Sequence, residues 1–535
     1  MSLSFQLCAI PLLALTTGVI TLILRAKRLS LKFLQGPPRP SLLLGHEWEM
    51  GRARKVGSLE DSWFEQYGYV FKLGGCYGED ILMVADPRGL QHIFHKSAYR
   101  YIKPADIEHA TTKLFGPGLA TVNGETHSRQ RKLLNPAFSA AQIRPFAQVF
   151  SLAAQSLTVK WRAEIEGGKE VLDTVRYLPN MTLDALGESF FGYEFGAMEG
   201  KKSSELCDII RDLFTDSVAS NELQMLRRAL YRFSPNWVLQ FLELQKTKQD
   251  RRFEHWLSAS RAVAGTLVKT KMESGDSVEK DNDIMSILSR ALYTNDPEKS
   301  LSSEEALSQM ATIIFAGHET SASSLNWILY ELARHPEYQE KIYQEIKDLR
   351  EQTRNEQDLS SIDVEGLTYL NAVIKESLRL HPIVPELVRQ AEVDDVIPLD
   401  YPIIDASGAP LNAVPVVKGQ RVVVSIAQYN RLKEVWGEDA DEYNPERFVN
   451  IKTPTTLGVF GNLMTFSGGI RGCIGWRFAV LEIQVVLAAL VESFVFSTPE
   501  GIEMDEVRVG LSVPMIKGSW KEGSKMPLKF TLRQD

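Results

Sequence analysis

Thirty-two consecutive residues, Ser303 to Arg334, read as one helix, with apolar side chains recurring at three- and four-residue spacing. Ser302 and Glu305 have the spacing of a capping box, and "RHP" at 334–336 supplies the stop. Such a helix reaches about 48 Å, enough to cross a whole domain, so the rest of the chain has to be arranged around it. Its middle, "FAGHETSASS" (315–324), is polar. A glycine inside a helix costs about 1 kcal/mol relative to alanine, and Thr or Ser hydroxyls can bond back to earlier carbonyls. The expectation is a locally opened, hydrated backbone there. The alternative is that Glu319 and Thr320 merely occupy a solvated stripe.

From residue 51 to the end of the 535 residues there is no second linker, repeat or low-complexity block, so 51–535 is read as one large domain. It is mainly α with small β-sheets. The stretch from Leu114 to Ile165 has helical spacing broken at Pro136 and Pro145, while "YVFKLGGCYGEDILMVADP" and "VPVVKGQRVVVSI" are β-like. The charged run "TKMESGDSVEKDND" (270–283) is expected as an exposed loop. A net charge of −8 argues against a nucleic-acid binder. Cys8, Cys76, Cys207 and Cys473 are too scattered for a disulfide framework or a zinc ribbon, so the body reads as a reducing-compartment protein.

The amino terminus differs. Leu3 to Leu24 carries no charge and "RAKR" follows at 25–28. Twenty-two helical residues reach about 33 Å, enough for the hydrocarbon core of a bilayer. A signal peptide would carry its positive charge before a shorter run. Residues 1–30 are therefore expected to be a transmembrane anchor with a basic flank, which keeps the remainder cytosolic. The Pro-rich segment within 31–50 reads as a stiff hinge.

Cys473 stands alone in "TFSGGIRGCIGW" (465–476), with no His, Cys or acid beside it to share a metal or act as a base. Most single cysteines are small buried hydrophobes. Here Gly468, Gly469, Gly472 and Gly475 let backbone N–H groups approach an anion, and Arg471 adds positive charge, a setting that favours a thiolate. One thiolate holds a bare metal poorly, but it can be the fifth ligand of a haem iron. A nucleophilic-cysteine enzyme is the competing reading.

The spacing Phe466, Gly469, Arg471, Cys473, Gly475 resembles the haem-binding pattern of the cytochrome P450 family. "AGHETS" (316–321), the Glu376/Arg379 pair in "ESLR" and Arg447 in "NPERF" resemble three more of its motifs, in the same order. "WGEDADEYNPERF" and "GETHSRQRKLLNPAFS" look like further stretches of the family, although His127 stands where a tryptophan is common, with Arg131 four residues on.

The resemblance implies a cytochrome P450 fold and a haem whose axial ligand is Cys473, with Phe466 shielding the sulfur and Gly469 in its loop. It implies His127, Arg131, Arg389 and Arg471 as propionate partners, and Glu376, Arg379 and Arg447 as a buried structural network. Thr320 and Glu319 would relay protons. The implied activity is oxygen insertion into an apolar small molecule, such as a terpenoid of secondary metabolism. Sterols, fatty acids and xenobiotics remain open, and the competing activity is a haem-thiolate isomerase or dehydratase. A non-catalytic haem sensor is the third reading.

No dinucleotide fingerprint is present, so electrons are expected from a separate NADPH-dependent reductase, with cytochrome b5 as a second donor. Residues 129–132, Arg471 and Arg477 would form its basic docking face. The expected location is the endoplasmic reticulum membrane, single-pass. Pocket residues are expected within 99–119, at Phe315 and Ala316, and at 383–387. Asn180 fits a glycosylation sequon that would stay unmodified on a cytosolic face.

Overall fold

The computed structural model describes residues 29–53, 55–200, 206–211, 221–273, 283–353, 364–450 and 457–534. The anchor expected over 3–24 lies outside the described residues. Among those described, no helix is long and apolar enough to cross a membrane.

The central helix runs over Ser303–Arg334, and both halves of its capping box form. It is an α-helix throughout. The expected opening around residues 315–324 does not occur: the helix is unbroken there, and the bonds from Thr320 Oγ1 to Ala316 O at 2.6 Å and from Ser324 Oγ to Thr320 O at 2.9 Å run back along it without opening it. Gly317 has another purpose. A Cβ there would lie 2.4 Å from Leu186 Cδ1, so the glycine lets the helix Leu178–Leu186 pack against the central one.

Around this axis lie the helices Ala147–Glu166, Lys248–Glu273, Pro336–Thr353, Thr368–Leu380 and Trp476–Ser493. The last, apolar on nearly every face, is buried from Phe478 to Val491 apart from Ala479. Of the loop expected over 270–283, residues 270–273 close the Lys248–Glu273 helix, and 274–282 lie outside the described residues.

Strands β1 (Val70–Gly74), β2 (Asp80–Val84), β3 (Tyr101–Ile102), β5 (Glu386–Ala391) and β8 (Arg421–Ser425) form one sheet in the order β1-β2-β8-β5-β3. A second sheet has the order β4-β12-β9, from Val171–Asp173, Pro527–Leu532 and Phe494–Ser497. Two hairpins complete the set, β6 (Asp395–Ile404) with β7 (Pro410–Val416) and β10 (Met504–Arg508) with β11 (Ser512–Ile516). The β-like run "VPVVKGQRVVVSI" thus divides between two sheets, with β7 pairing β6 while β8 runs parallel to β2.

Residues 31–50 lie along the first sheet instead of standing clear of it. Lys72 N donates to Gln35 O at 3.0 Å, His46 N to Gly74 O at 2.7 Å, and Leu31 and Leu34 are core residues.

Three distant segments meet at His381, just past the Thr368–Leu380 helix. Its ring nitrogens lie 2.8 Å from Glu331 on the central helix and 3.0 Å from Glu506 on β10, and the ring stacks on Trp327 at 4.5 Å. Burial lowers the basicity of His381, but the two carboxylates outweigh it and raise the pKa from 6.5 to about 9. A group raised on folding stabilises fully below its unfolded pKa and loses that contribution as pH climbs through the folded one. Both carboxylates are held below their ordinary value, so their share is lost in acid. The triad therefore stabilises most near pH 5–6.5. The shift corresponds to about 3 kcal/mol. In thermal scans, the apparent Tm is expected to fall by roughly 3 °C between pH 6 and pH 9 through this group. His381→Gln should lack that slope, and equal slopes in the two proteins would refute the assignment.

Candidate active site

The cysteine loop is built on close backbone contacts. Ser467 (φ 57°) and Gly469 (φ 61°) are left-handed. A Cβ on Gly469 would lie 1.9 Å from Phe94 O, and one on Gly468 would lie 2.5 Å from Leu457 O. Cys473 N donates to Phe466 O at 2.8 Å, which closes the loop, and the Trp476–Ser493 helix starts three residues on. Phe466 packs edge-on to Phe460, 6.0 Å between ring centroids.

Cys76 and Cys207 are buried, whereas the Cys473 side chain is exposed. Burial raises the thiol pKa, and the Gly475 N–H and the Arg131 guanidinium pull it back.

Cations converge beside this loop. Arg131, on the helix Gly124–Leu134, donates to Gly472 O at 2.6 Å and to Asn135 Oδ1 at 2.9 Å. Arg471 donates to Asn123 Oδ1 at 3.1 Å. Arg389, on β5, is buried over the Phe94 ring and bonds only a carbonyl, Val388 O. None of the three forms an ion pair among the described residues. Burial, then Arg471, pulls Arg389 down to about 9. Lys103, absent from the sequence reading, is brought to about 7 by burial and then by Arg471 and Arg389. His127 is buried and accepts or donates to Tyr99 Oη at 3.2 Å. Burial and the neighbouring cations hold it at about 3, so its imidazole is neutral. Arg389 is buried and Arg131 and Arg471 are half-buried; guanidiniums withdrawn from solvent without counter-charges are costly, and they fit a ligand that carries carboxylates. A haem with two propionates fits that donor set, with the open Cys473 thiol as the soft ligand for its iron.

Glu376, Arg379 and Arg447 lie together in the interior. Glu376 and Arg379 make a two-pronged pair at 2.7 and 2.8 Å, with both side chains fully buried. Arg447 lies 3.5 Å from Glu376 and bonds Asp439 at 2.8 Å. Sequence reasoning missed its link to the cysteine loop. Arg379 donates to Asn430 O at 2.8 Å, and Asn430 holds Thr465 Oγ1 at 2.9 Å and Met464 N at 3.1 Å, immediately before Phe466. A single asparagine in "AQYNRL" carries no periodic signal, so nothing in the sequence marked it.

Glu319 and Thr320 face different surroundings. Thr320 is tied to its own helix, while Glu319 lines a narrow crevice with Arg176, Asn180, Cys207 and Arg211. Burial raises Glu319 to about 8, with Ser323 and Arg211 acting in the opposite direction. No hydrogen bond joins either residue to the cysteine loop among the described residues. Ala316 is open on its surface, and Phe315 packs against Phe115 at 5.2 Å and Trp256 at 5.7 Å, which brings residue 115 of the expected pocket segment to the central helix.

The expected basic docking face is reduced. Arg129 pairs with Glu305 at 2.5 Å, Gln130 is buried, and Arg131 and Arg471 turn inward, which leaves Lys132 and Arg477 exposed. Asn180, half-buried in the Leu178–Leu186 helix, donates to Arg176 O at 3.3 Å.

An exposed cysteine in a glycine-rich loop, with Arg131, Arg389 and Arg471 unpaired by any acid among the described residues, fits the donor set of a porphyrin-binding protein. The cytochrome P450 family profile matches residues 35–521, and the chain belongs to that family. It is 33% identical over 528 residues to cytochrome P450 monooxygenase 205 of Postia placenta, covering 95% of this chain and 94% of that one. It is 31% identical over 504 residues to cytochrome P450 monooxygenase claP of Ampulloclitocybe clavipes, covering 93% and 92%. It is 34% identical over 460 residues to a ganoderic acid synthetase of Ganoderma lucidum, covering 81% and 82%. Members of this family bind haem through a cysteine thiolate. The chain is an oxidoreductase of the monooxygenase type.

Proposed function

We propose that the chain hydroxylates an apolar small molecule of fungal secondary metabolism, of the terpenoid kind, with electrons from a separate NADPH-dependent reductase. The observation that carries the site assignment is the exposed Cys473 thiol beside buried Arg389 and half-buried Arg131 and Arg471, which have no carboxylate partner among the described residues. The substrate class is supported by the relative named for ganoderic acid synthesis and by the aromatic packing around Phe315.

When bound, haem supplies the redox-active iron and the oxygen chemistry. Cys473 would supply its thiolate ligand, and Arg131, Arg389, Arg471 and neutral His127 would hold its carboxylates. Thr320 presents a hydroxyl on the central helix. Glu319, with a pKa of about 8, keeps a proton at neutral pH and meets solvent through the crevice at Asn180 and Arg176. An isomerase or dehydratase would need no such proton supply, so Glu319 favours hydroxylation.

Membrane attachment is supported by the uncharged run at 3–24 and by exposed Leu42, Leu43, Leu223, Trp237 and Leu244. Leu43 O accepts Tyr77 N, and Tyr77 Oη donates to Leu226 O, so the segment carrying Leu42 and Leu43 and the helix carrying Leu223 are neighbours. Their exposed leucines border a common region. An endoplasmic reticulum location with the body in the cytosol follows from this reading.

Thr320→Ala is expected to uncouple the reaction. With a co-expressed reductase, product per NADPH consumed should fall about tenfold or more while haem content stays unchanged. Unchanged coupling would remove Thr320 from the proton path.

A further inference from the structure

A groove of about 580 Å3 opens where β4 meets the start of β12, and no residue of the cysteine loop lines it. That volume is in the range of small-molecule sites. Its apolar wall comes from Val171 and Pro527 on the paired strands, from the Tyr177 ring, and from Ile502 and Ile516 at the β10–β11 hairpin. None of these five side chains is buried, and Val171 lies exposed on an edge strand.

Cations rim this wall. Lys160 and Lys169 stand over the Tyr177 ring, 6.0 and 5.7 Å from its centre. Lys169 is neutralised by Glu164 at 2.5 Å, which also accepts Tyr177 Oη at 2.6 Å. Lys160 Nζ donates to a carbonyl, Met198 O, at 2.7 Å. Arg176 and Lys525 converge on Asp173: Arg176 Nε lies 3.4 Å from its Oδ2, and its Oδ1 accepts the N–H of Met526, next to Lys525, at 2.9 Å. Lys525 pairs with the exposed Glu522 at 2.6 Å. The Arg176 contact is long for a guanidinium–carboxylate pair, its side chain is 69% exposed, and exposed pairs of this kind contribute little. Neither Nη group of Arg176 donates to a described residue. A guanidinium with two unused donors beside an apolar wall matches a carboxylate carried on a hydrocarbon body. Glu164 and Asp173 in the same wall oppose a doubly charged head group, so a monoanion fits better than a phosphate.

We propose that this groove binds an amphipathic monoanion, an alkyl or aryl carboxylate, with its carboxylate on Arg176 beside Lys525 and its hydrocarbon along Tyr177, Ile502 and Ile516. Arg176 also lines the crevice that reaches Glu319, so the bound carboxylate borders that crevice. The site is independent of what Cys473 holds.

The test is photolabelling of the full-length holoprotein with a diazirine-bearing dodecanoate and with its alcohol analogue, followed by peptide mapping. The carboxylate should label the peptides that carry residues 171–177 and 502–527 in wild type, and the alcohol should label them at least about fivefold less. Arg176→Gln combined with Lys525→Gln should cut that label about tenfold. Both side chains reach the surface, so the variant is expected to fold, and an unchanged apparent Tm checks this. In wild type alone, excess octanoate should displace the label and octanol should not. Equal label in wild type and the folded variant, equal label from carboxylate and alcohol, displacement by octanol as by octanoate, or label confined to other peptides would each overturn the proposal.

Discussion

Arg379→Ala is expected to prevent the protein from accumulating in folded form. The guanidinium is fully buried and makes a two-pronged pair with an equally buried Glu376, while its other N–H groups bond the carbonyls of Asn430, Ala440 and Glu442. Truncation takes two charge-assisted hydrogen bonds from the Glu376 carboxylate, which keeps only the Asn444 N–H and the more distant Arg447. It also strips a donor from three carbonyls in a dry interior. Breaking a buried pair in this way costs about 3–5 kcal/mol, a large share of the roughly 5–15 kcal/mol that holds a protein folded. Because Asn430 also holds Thr465 and Met464, the damage should reach the cysteine loop. Soluble yield and haem content of the purified protein check this together. A variant with wild-type yield, apparent Tm and haem content would show that the network carries neither fold nor loop.

Gly469→Ala should be nearly as damaging, for a different reason. Its φ of 61° is strained for any residue with a side chain, and the new Cβ would overlap Phe94 O at 1.9 Å and Phe94 C at 2.7 Å. Both are backbone atoms, so relief requires the loop to move away from the 92–96 segment. The expected loss is about 2 kcal/mol or more, seen as haem content reduced at least tenfold. Gly475→Ala is the matched control. Its φ of −90° is ordinary, and its nearest neighbour, Phe138 Cε1, would be 3.7 Å away, so haem content should stay close to wild type. Equal effects at the two glycines would contradict the close-approach account of Gly469.

Much of this was legible in the sequence because it lay in local spacing. The central helix begins and ends at its caps as read, and the five points of the cysteine loop fall within ten residues. Misreadings came where tertiary contact decides. Gly317 looked like a site of helix opening, but its lack of a side chain accommodates Leu186 from another helix. The run 129–132 looked like a basic face, but Arg129 meets Glu305 from a segment 176 residues away and Arg131 turns to Gly472. Asn430, Lys103 and the His381 triad were invisible for the same reason. Each joins residues far apart in the chain, and no periodicity records such a meeting.

The most direct measurement is the difference spectrum of the reduced, carbon-monoxide-bound protein, wild type against Cys473→Ala. Wild type is expected to show the band of a thiolate-ligated haem, and the alanine variant to lack it even where some porphyrin is retained by the cation cluster. The same thiolate-type band in both proteins would contradict the assignment of Cys473.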